Sequence, residues 1–255
     1  MSVHPALLAA DWPAPAGVRA FTTLRSGAGV SQGPFQHFNL GSRCGDDPAA
    51  VASNRDALVD LAKMPATPVW LRQVHGTDIH RARQANAGSS EPEADAAVSG
   101  VPGVVLAVLT ADCLPVLLCS VRGDEVAAAH AGWRGLAAGV LEETVRAMAT
   151  PASSLMAWLG PAAGPENYEI GEEVFAAFAK LDPAAAEAFV ATRPGHWRVD
   201  LYALTRQRLT AAGLPPTSIH GGDYCTIGDP GRFYSHRRDG HSGRMASVIW
   251  IDPAG

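Results

Sequence analysis

The sequence predicts an α/β (α+β) chain in which mixed β-sheets are flanked by helices. Short apolar runs typical of buried strands alternate with stretches whose apolar residues recur at helical spacing. Two of the runs flank a tight turn and predict a hairpin, so the chain is not a simple repeat of βαβ units. The 255 residues contain no linker and no change in composition. We therefore expect a single domain over residues 1–255.

The first half of the chain contains several distinct patterns. They predict, in order, a strand over 18–23, a Gly-rich loop over 26–33, a helix over 48–61, a strand over 70–74 and a surface loop over 84–93. The helix is indicated by Asp46 and Asp47, which provide a negative N-terminal flank, and by Val51, Leu58 and Leu61 at helical spacing.

The middle of the chain predicts a buried hairpin. Apolar runs over 104–109 and 114–120 are typical of strands covered on both faces. Arg122-Gly123-Asp124 predicts a turn, and 125–129 predicts the returning strand. A helix is then predicted after Gly135 and before Pro151, because it has an apolar stripe made by Leu136, Val140, Leu141, Val145 and Met148.

The C-terminal third predicts two further helices and two strands. Trp158 and Leu159 are assigned to the beginning of a strand that stops at Gly160-Pro161. Helices are predicted over 170–180 and 201–212, and a final strand over 247–251.

Composition excludes several classes of protein. The formal net charge is −5 and the pI is near 6.0, which argues against a nucleic-acid binder. The sequence has no apolar run of membrane-spanning length and no signal-peptide pattern, so we expect no membrane association and a cytoplasmic location. The four cysteines include no Cys-x-x-Cys pair, and free thiols are expected.

Three residues form a candidate metal site. The predicted hairpin brings Cys113 and His130 to the same end of two strands, and His75 ends another predicted strand. A pairing centred on Gly123 places His130 opposite Val116, which is roughly 10 Å along the ladder from Cys113. A bend at 111–112 or 131–132 is therefore needed to bring the two side chains together.

Two imidazoles and a thiolate are ligands that suit zinc, with a fourth position left for water. Such an ion lowers the pKa of the water it holds to about 7. The nine histidines include no His-x-His pair, which argues against a multicopper cluster. A single copper remains an alternative occupant of the zinc site.

Motifs spread along the chain resemble the YfiH-like laccase-domain family. The resemblance rests on Phe21-Thr22-Thr23, Asn39-Leu40-Gly41, Asn54-Arg55, Arg72-Gln73-Val74-His75-Gly76, Ala111-Asp112-Cys113-Leu114-Pro115-Val116, Ala129-His130-Ala131-Gly132-Trp133-Arg134-Gly135, Trp158-Leu159-Gly160-Pro161, Asp200-Leu201, Cys225-Thr226, Tyr234-Ser235-His236-Arg237-Arg238-Asp239 and Gly243-Arg244-Met245-Ala246. It implies that His75, Cys113 and His130 are zinc ligands. It also implies a layered sandwich like the catalytic fold of the YfiH proteins and cytotoxic necrotizing factor.

The resemblance implies a zinc-dependent purine nucleoside phosphorylase, in a family also described as polyphenol oxidases. Adenosine, inosine, guanosine and methylthioadenosine are the expected nucleosides, with phosphate as second substrate and adenosine deaminase activity as a further possibility.

Residue roles follow from that chemistry. Cys113, His130 and Asp112 are the catalytic candidates, with Asp112 orienting a water or a ligand or else capping a turn. The candidates for binding substrate are Asn39, Arg55, Arg134 and Arg237, together with Arg238 for phosphate and with Trp133 or Tyr168 for stacking. Glu169 and Asp112 are candidate proton shuttles for deamination.

Other functions remain open at this level. Cys113 and His130 could instead form the nucleophile and base of a cysteine hydrolase, such as an amidase acting on a cell-wall precursor. A single-copper polyphenol oxidase and a nucleotide-sensing module without turnover are further alternatives. The sequence does not indicate an oligomeric state.

Overall fold

Residues 4–84 and 91–253 are described by the structure, a computed structural model of the chain. The strands in this part are β1 (Leu7–Ala9), β2 (Val18–Thr23), β3 (Ile79–Arg81), β4 (Ala96–Ser99), β5 (Leu106–Thr110), β6 (Leu114–Ser120), β7 (Val126–Ala131), β8 (Leu155–Leu159), β9 (Glu169–Gly171), β10 (Phe189–Arg193), β11 (His196–Val199), β12 (Ile219–Gly221) and β13 (Met245–Ile251).

The α-helices of the described residues lie between these strands. They are α1 (Pro48–Ala62), α2 (Trp133–Ala138), α3 (Val140–Ala147), α4 (Glu172–Ala179), α5 (Leu201–Ala211) and α6 (His236–Asp239). Short 3-10 helices occur at Gly33–Phe35, Ala152–Ser154, Pro183–Ala188 and Pro216–Ser218. No helix among residues 4–84 and 91–253 combines the length and the hydrophobicity that crossing a bilayer requires.

The described strands form three sheets. One has the order β1-β2-β13-β5 and is antiparallel throughout. A second has the order β12-β8-β6-β7-β4-β3, with parallel pairs at both edges and antiparallel pairs inside. The third, β10-β11-β9, is small and antiparallel. The mixture of parallel and antiparallel pairs confirms the predicted class of fold.

The two larger sheets pack against each other, and helices cover their outer faces. Along β6, Val116 and Leu118 face α2, α3 and α5, whereas Leu117 and Cys119 face the β1-β2-β13-β5 sheet. This two-residue alternation follows from the pleat of a strand. The other face of the β1-β2-β13-β5 sheet is covered by α1 through Leu58. The resulting order of layers is helix, sheet, sheet, helix.

Several predicted elements have different bounds in the structure. The helix predicted after Gly135 begins earlier, at Trp133, and is divided into α2 and α3 at Gly139, whose φ of 101° no regular helix adopts. The returning strand of the hairpin is β7, which extends two residues beyond the predicted end. Trp158 and Leu159 end strand β8, although the sequence placed them at its beginning.

One predicted element is wrong in type, and another, the helix over 170–180, is a helix as predicted but begins two residues later. Residues 70–74 form no regular strand, because the segment makes only one isolated bridge, at Arg72, and Val69 just before it makes another. The predicted helix over 170–180 begins as strand β9, and α4 starts at Glu172. Ile170 pairs with Trp197 of β11, so sheet pairing overrides the helical spacing there. Of the loop predicted over 84–93, residues 85–90 lie outside the described residues.

The hairpin register differs from the predicted register by one residue. His130 pairs with Pro115, and Val116 pairs with Ala129. The turn is therefore centred between Arg122 and Gly123, and His130 lies one residue closer to Cys113 along the ladder than the sequence indicated. This shift shortens the gap that a bend must close.

Candidate metal centre

His75 lies on a loop that a buried carboxylate holds in shape. Asp95 accepts backbone N–H hydrogen bonds from Val74, His75 and Gly76, at 3.1, 2.9 and 2.7 Å. His75 itself has a φ of 61°, in the left-handed region that few residues other than glycine adopt. The carboxylate therefore stabilises an unusual backbone conformation that turns the His75 side chain toward the hairpin.

Cys113 reaches the same place through a bend at the preceding residue. Asp112 has a φ of 85°, which turns the chain sharply between β5 and β6. This is one of the two places at which the sequence analysis expected the bend. Sγ of Cys113 lies 3.9 Å from Nε2 of His75, and the rings of His75 and His130 meet edge to face with centroids 4.8 Å apart.

His130 is oriented by Asp95 as well. Its Nδ1 lies 2.8 Å from Oδ1 of Asp95, and both side chains are buried. The two residues are adjacent across the β4–β7 pair, where the backbone N–H of His130 also donates to the carbonyl of Asp95 at 2.7 Å. With Nδ1 occupied, Nε2 is the nitrogen of His130 that remains available to a metal ion.

Sequence analysis did not identify Asp95. Its signal was an acidic residue directly before the apolar run of β4, where a charge is costly unless it has partners. That signal does not name the partner, which depends on the strand that pairs with β4.

Cys113, His130 and Asp95 stabilise one another's charged forms. Burial raises the pKa of the Cys113 thiol, but His130 and His75 lower it by more, so that the pKa falls to about 6. Burial lowers the pKa of His130, but Cys113 and Asp95 outweigh this effect and raise it. Burial likewise raises the pKa of Asp95, while hydrogen bonds from His130 and Gly76 bring it below its usual value. The thiolate form, which binds metals, is thus favoured at Cys113.

The donor set fits a zinc ion. One nitrogen from each of His75 and His130 and the sulfur of Cys113 lie within 4.8 Å of one another and could hold a metal ion. Tetrahedral zinc with Zn–N of about 2.0–2.1 Å and Zn–S of about 2.3 Å places such donors roughly 3.3–3.6 Å apart, so binding would draw the most widely spaced donors together by up to about 1.5 Å. Gly132 leaves room for this group, because a Cβ there would lie 2.9 Å from Sγ of Cys113 and 3.0 Å from Cδ2 of His75.

The three donors open into a cavity of about 470 Å³, a volume typical of small-molecule sites. Its lining combines apolar, polar and cationic residues. They are Gly41, Ser42, Arg43, Cys44, Leu71, Gln73, His75, Glu91, Leu109, Thr110, Ala111, Cys113, His130, Arg134, His236 and Arg244.

Arg134 is the predicted substrate residue that the structure places in this cavity. It follows Trp133 at the start of α2, and its guanidinium lies over the Trp133 ring, 4.3 Å from the centroid. Among the described residues it forms no ion pair, so its charge is available to an anion.

Asp112, in contrast, points away from the cavity lining. Its carboxylate accepts hydrogen bonds from Thr226 Oγ1 at 2.6 Å, Ser235 Oγ at 3.0 Å and the backbone N–H of Arg237 at 2.6 Å. These contacts join the bend before Cys113 to the C-terminal segment. Of the two roles considered from the sequence, this geometry favours the turn-stabilising one.

Asn39 and Arg55 support the cavity wall rather than line it. The buried Asn39 side chain accepts from the backbone N–H groups of Gly41 and Arg244 and donates to Asp46. Arg55 donates to the carbonyl of Leu40 and to Glu91, and lies over the Trp70 ring. Both residues hold the loop that carries the lining residues 41–44.

All but one of the remaining candidates line a second, smaller cavity that shares Arg134 with the first. Its lining includes Trp133, Tyr168, Glu169 and Arg237. Glu169 is paired with Arg193, with 2.8 Å between Oε1 and Nη2, and Arg237 lies over the Tyr168 ring. Arg238 lies in neither lining; it donates to Asp239 and to backbone carbonyls.

Known proteins match this chain over nearly its whole length. A family described as multi-copper polyphenol oxidoreductase laccase matches residues 19–252. A purine nucleoside phosphorylase of Xylella fastidiosa is 57% identical over 251 residues, which are 96% of each chain. The purine nucleoside phosphorylase YfiH of Escherichia coli is 49% identical over 245 residues, covering 96% of this chain and 98% of YfiH.

A solved structure agrees with the fold. The crystal structure of a Neisseria meningitidis protein, 47% identical in sequence, superposes with a TM-score of 0.91 over 97% of this chain and 99% of that protein. That protein therefore shares the arrangement of layers described above.

Proposed function

Since this chain belongs to the laccase-domain family that includes the YfiH proteins, we propose that it is a zinc-dependent purine nucleoside phosphorylase. The observation that supports this proposal best is the single cavity that contains His75, Cys113 and His130 together with Arg134, a cation with no acidic partner among the described residues. A nucleoside that reacts with phosphate needs both a polar reaction centre and positive charge for the anion.

Phosphorolysis exchanges one bond for another at the anomeric carbon. An oxygen of hydrogen phosphate forms a bond to C1′ while the C1′–N9 bond breaks, and the purine leaves with that electron pair. The proton of hydrogen phosphate ends on the departing purine, so the products are ribose 1-phosphate and the free base. The protein has to hold the two substrates in line and stabilise the charge that moves between them.

The residues divide between these tasks. His75, Cys113 and His130 would hold the zinc ion, while Asp95 orients the imidazole of His130 and holds the backbone that carries His75. Bound there, zinc supplies Lewis acidity at the cavity wall. Arg134 attracts the anion, and Leu71 and Leu109 provide the apolar surface on which a purine can pack.

The proposal extends to the substrates and surroundings expected from the sequence. It takes adenosine, inosine, guanosine and methylthioadenosine as nucleosides, with hydrolytic deamination of adenosine as a second activity of the same site. It also treats residues 1–255 as one domain acting in the cytoplasm.

Product analysis tests the proposal. Purified protein of measured metal content is incubated with each nucleoside, with and without phosphate, and the bases and sugars are separated by chromatography. Free base that appears only with phosphate, alongside ribose 1-phosphate, supports phosphorolysis. Base that is released equally without phosphate, or no base at all, contradicts it. Inosine formed from adenosine reports deamination separately, and the metal analysis distinguishes zinc from copper.

A cysteine hydrolase is the second candidate, and it is favoured by the three side chains Asp95, His130 and Cys113. The buried carboxylate of Asp95 orients the imidazole of His130 next to the thiol of Cys113, whose pKa is lowered, as in nucleophilic cysteine enzymes. The two candidates differ in their need for metal. Loss of activity on chelation, restored by zinc, supports the phosphorylase. Amide hydrolysis that persists without metal and ends on alkylation of Cys113 supports the hydrolase.

A further inference from the structure

Arg244 is held at the edge of the metal cavity by contacts along its whole length. Its backbone N–H donates to Oδ1 of Asn39 at 2.8 Å, and its carbonyl accepts from the backbone N–H of Leu40 at 3.1 Å. Its side chain passes over Gly41, where a Cβ would lie 2.7 Å from Cγ of Arg244. The buried Asn39 and the absence of a side chain at Gly41 thus direct this arginine into the cavity.

The guanidinium of Arg244 is anchored at one nitrogen. Nη1 donates to the carbonyls of Ser242 and Gly243 at 2.7 and 3.0 Å. Among the described residues Nε and Nη2 have no partner, and no carboxylate pairs with the group. An anchored guanidinium with two free donors on adjacent nitrogens matches the geometry by which arginine binds an oxyanion through two hydrogen bonds.

The charge of the cavity favours an anion. Three of its described lining residues are arginines, Arg43, Arg134 and Arg244, and one is a carboxylate, Glu91. Glu91 is already paired with Arg55 at 3.1 Å and with Arg43 at 3.4 Å. The positive charges of Arg134 and Arg244 are therefore not neutralised by the described part of the chain.

We propose that Arg244 is the principal anchor of an oxyanion subsite in this cavity and that it receives the inorganic phosphate of the reaction. The identity of the anion rests on the proposed phosphorylase function, whereas the subsite itself rests on the contacts of Arg244. Two arginines suggested for this role by the sequence are occupied elsewhere. Arg55 is bound to Leu40 and Glu91, and Arg237 donates to the carbonyl of Glu169.

A binding measurement with inorganic phosphate tests the subsite without relying on turnover. The metal-loaded wild-type protein, Arg244→Gln and Arg206→Gln are titrated with phosphate by calorimetry. Arg206 is the matched control, because it also donates to backbone carbonyls, those of Ile219 and Gly221, but does not line the cavity. We expect Arg244→Gln to weaken phosphate binding by about 10- to 100-fold and Arg206→Gln to leave it unchanged.

Metal content and the melting temperature of each variant show whether the protein is still folded and loaded. If Arg244→Gln is destabilised, Arg244→Lys provides a second variant that keeps the charge but loses the two-nitrogen geometry, and we expect it to bind phosphate with intermediate affinity. Phosphate affinity that is equal in wild type and both Arg244 variants, or a wild type that binds no phosphate, would overturn the proposal.

A nucleotide is the other source of a phosphate group, and a second titration separates the two. Inosine 5′-monophosphate is compared with inosine plus inorganic phosphate. If Arg244→Gln weakens only the monophosphate, the subsite receives a nucleotide and the proposal is wrong. If Arg244→Gln weakens the binding of inorganic phosphate but the wild type releases no base, the oxyanion subsite is supported and the phosphorylase function is wrong.

Discussion

Oδ1 of Asp95 lies 2.8 Å from Nδ1 of His130, and the same carboxylate binds the backbone N–H of His75. One buried acid therefore positions two of the three candidate metal ligands. It reaches His130 through the side chain and His75 through the backbone, so a change at Asp95 affects both. A hydrogen bond to the nitrogen opposite the metal also fixes the tautomer of a histidine ligand and strengthens it.

Replacing Asp95 tests this arrangement. We expect Asp95→Asn to reduce zinc affinity by about 10- to 100-fold, because the amide cannot supply the negative charge that holds the Nδ1 proton of His130. Competition with a chromophoric chelator measures the change. Glu93→Gln is the control, because Glu93 is half exposed and pairs with Arg72 on the surface. Equal zinc affinity in Asp95→Asn and wild type would contradict the role assigned to Asp95.

The thiol of Cys113 is expected to be indispensable to the metal. Cys113→Ala removes the one sulfur donor of the group, and we expect it to lose both bound zinc and phosphorolysis, as measured by mass spectrometry and by base release. Cys225→Ser should retain both, because Cys225 lies outside the cavity lining and its sulfur accepts hydrogen bonds from Gly164 and Asn167. A Cys113→Ala protein with a full equivalent of zinc would show that the ligand assignment is wrong.

Gly132 is expected to be needed for space rather than for backbone freedom. Its φ of −63° suits any residue, but an added Cβ would lie 2.9 Å from Sγ of Cys113. We therefore expect Gly132→Ala to lower zinc content while circular dichroism shows the native content of helix and strand. Gly231→Ala is the matched control, because its nearest contact would be at 3.7 Å. Normal zinc content in Gly132→Ala would mean that the ligands shift at little cost.

Asp112 is expected to act on stability rather than on metal binding. Its carboxylate joins Thr226, Ser235 and the backbone of Arg237, and loss of its charge weakens these bonds. We expect Asp112→Asn to lower the free energy of unfolding by about 1–3 kcal/mol, measured by urea denaturation, with zinc content maintained. Asp56→Asn, at an exposed position, serves as control and should change the free energy of unfolding little. Loss of base release with unchanged stability would instead support the catalytic role considered from the sequence.

Local patterns were sufficient for many elements of the fold. Strands β2 and β6 have the predicted bounds, and α1 and α5 differ by one residue at their C-terminal ends. The patterns that predicted these elements depend on residues close together in the sequence. The strand predicted over 70–74 and the first two residues of the helix predicted over 170–180 are wrong where pairing with a distant segment decides the conformation. Ile170, for example, is held in β9 by its pairing with β11.

The sequence by itself determined which residues could bind a metal, because imidazole and thiolate chemistry belongs to the side chains and motifs mark His75, Cys113 and His130. Only the tertiary structure identified Asp95 as their common support and Arg244 as an anchored cation beside them. Asp95 is 35 residues from His130 in the chain, and Arg244 is 205 residues from the Asn39 that positions it. The physical reason is that strand pairing and loop packing choose such partners, and the alternation of residues along one strand does not specify its neighbour.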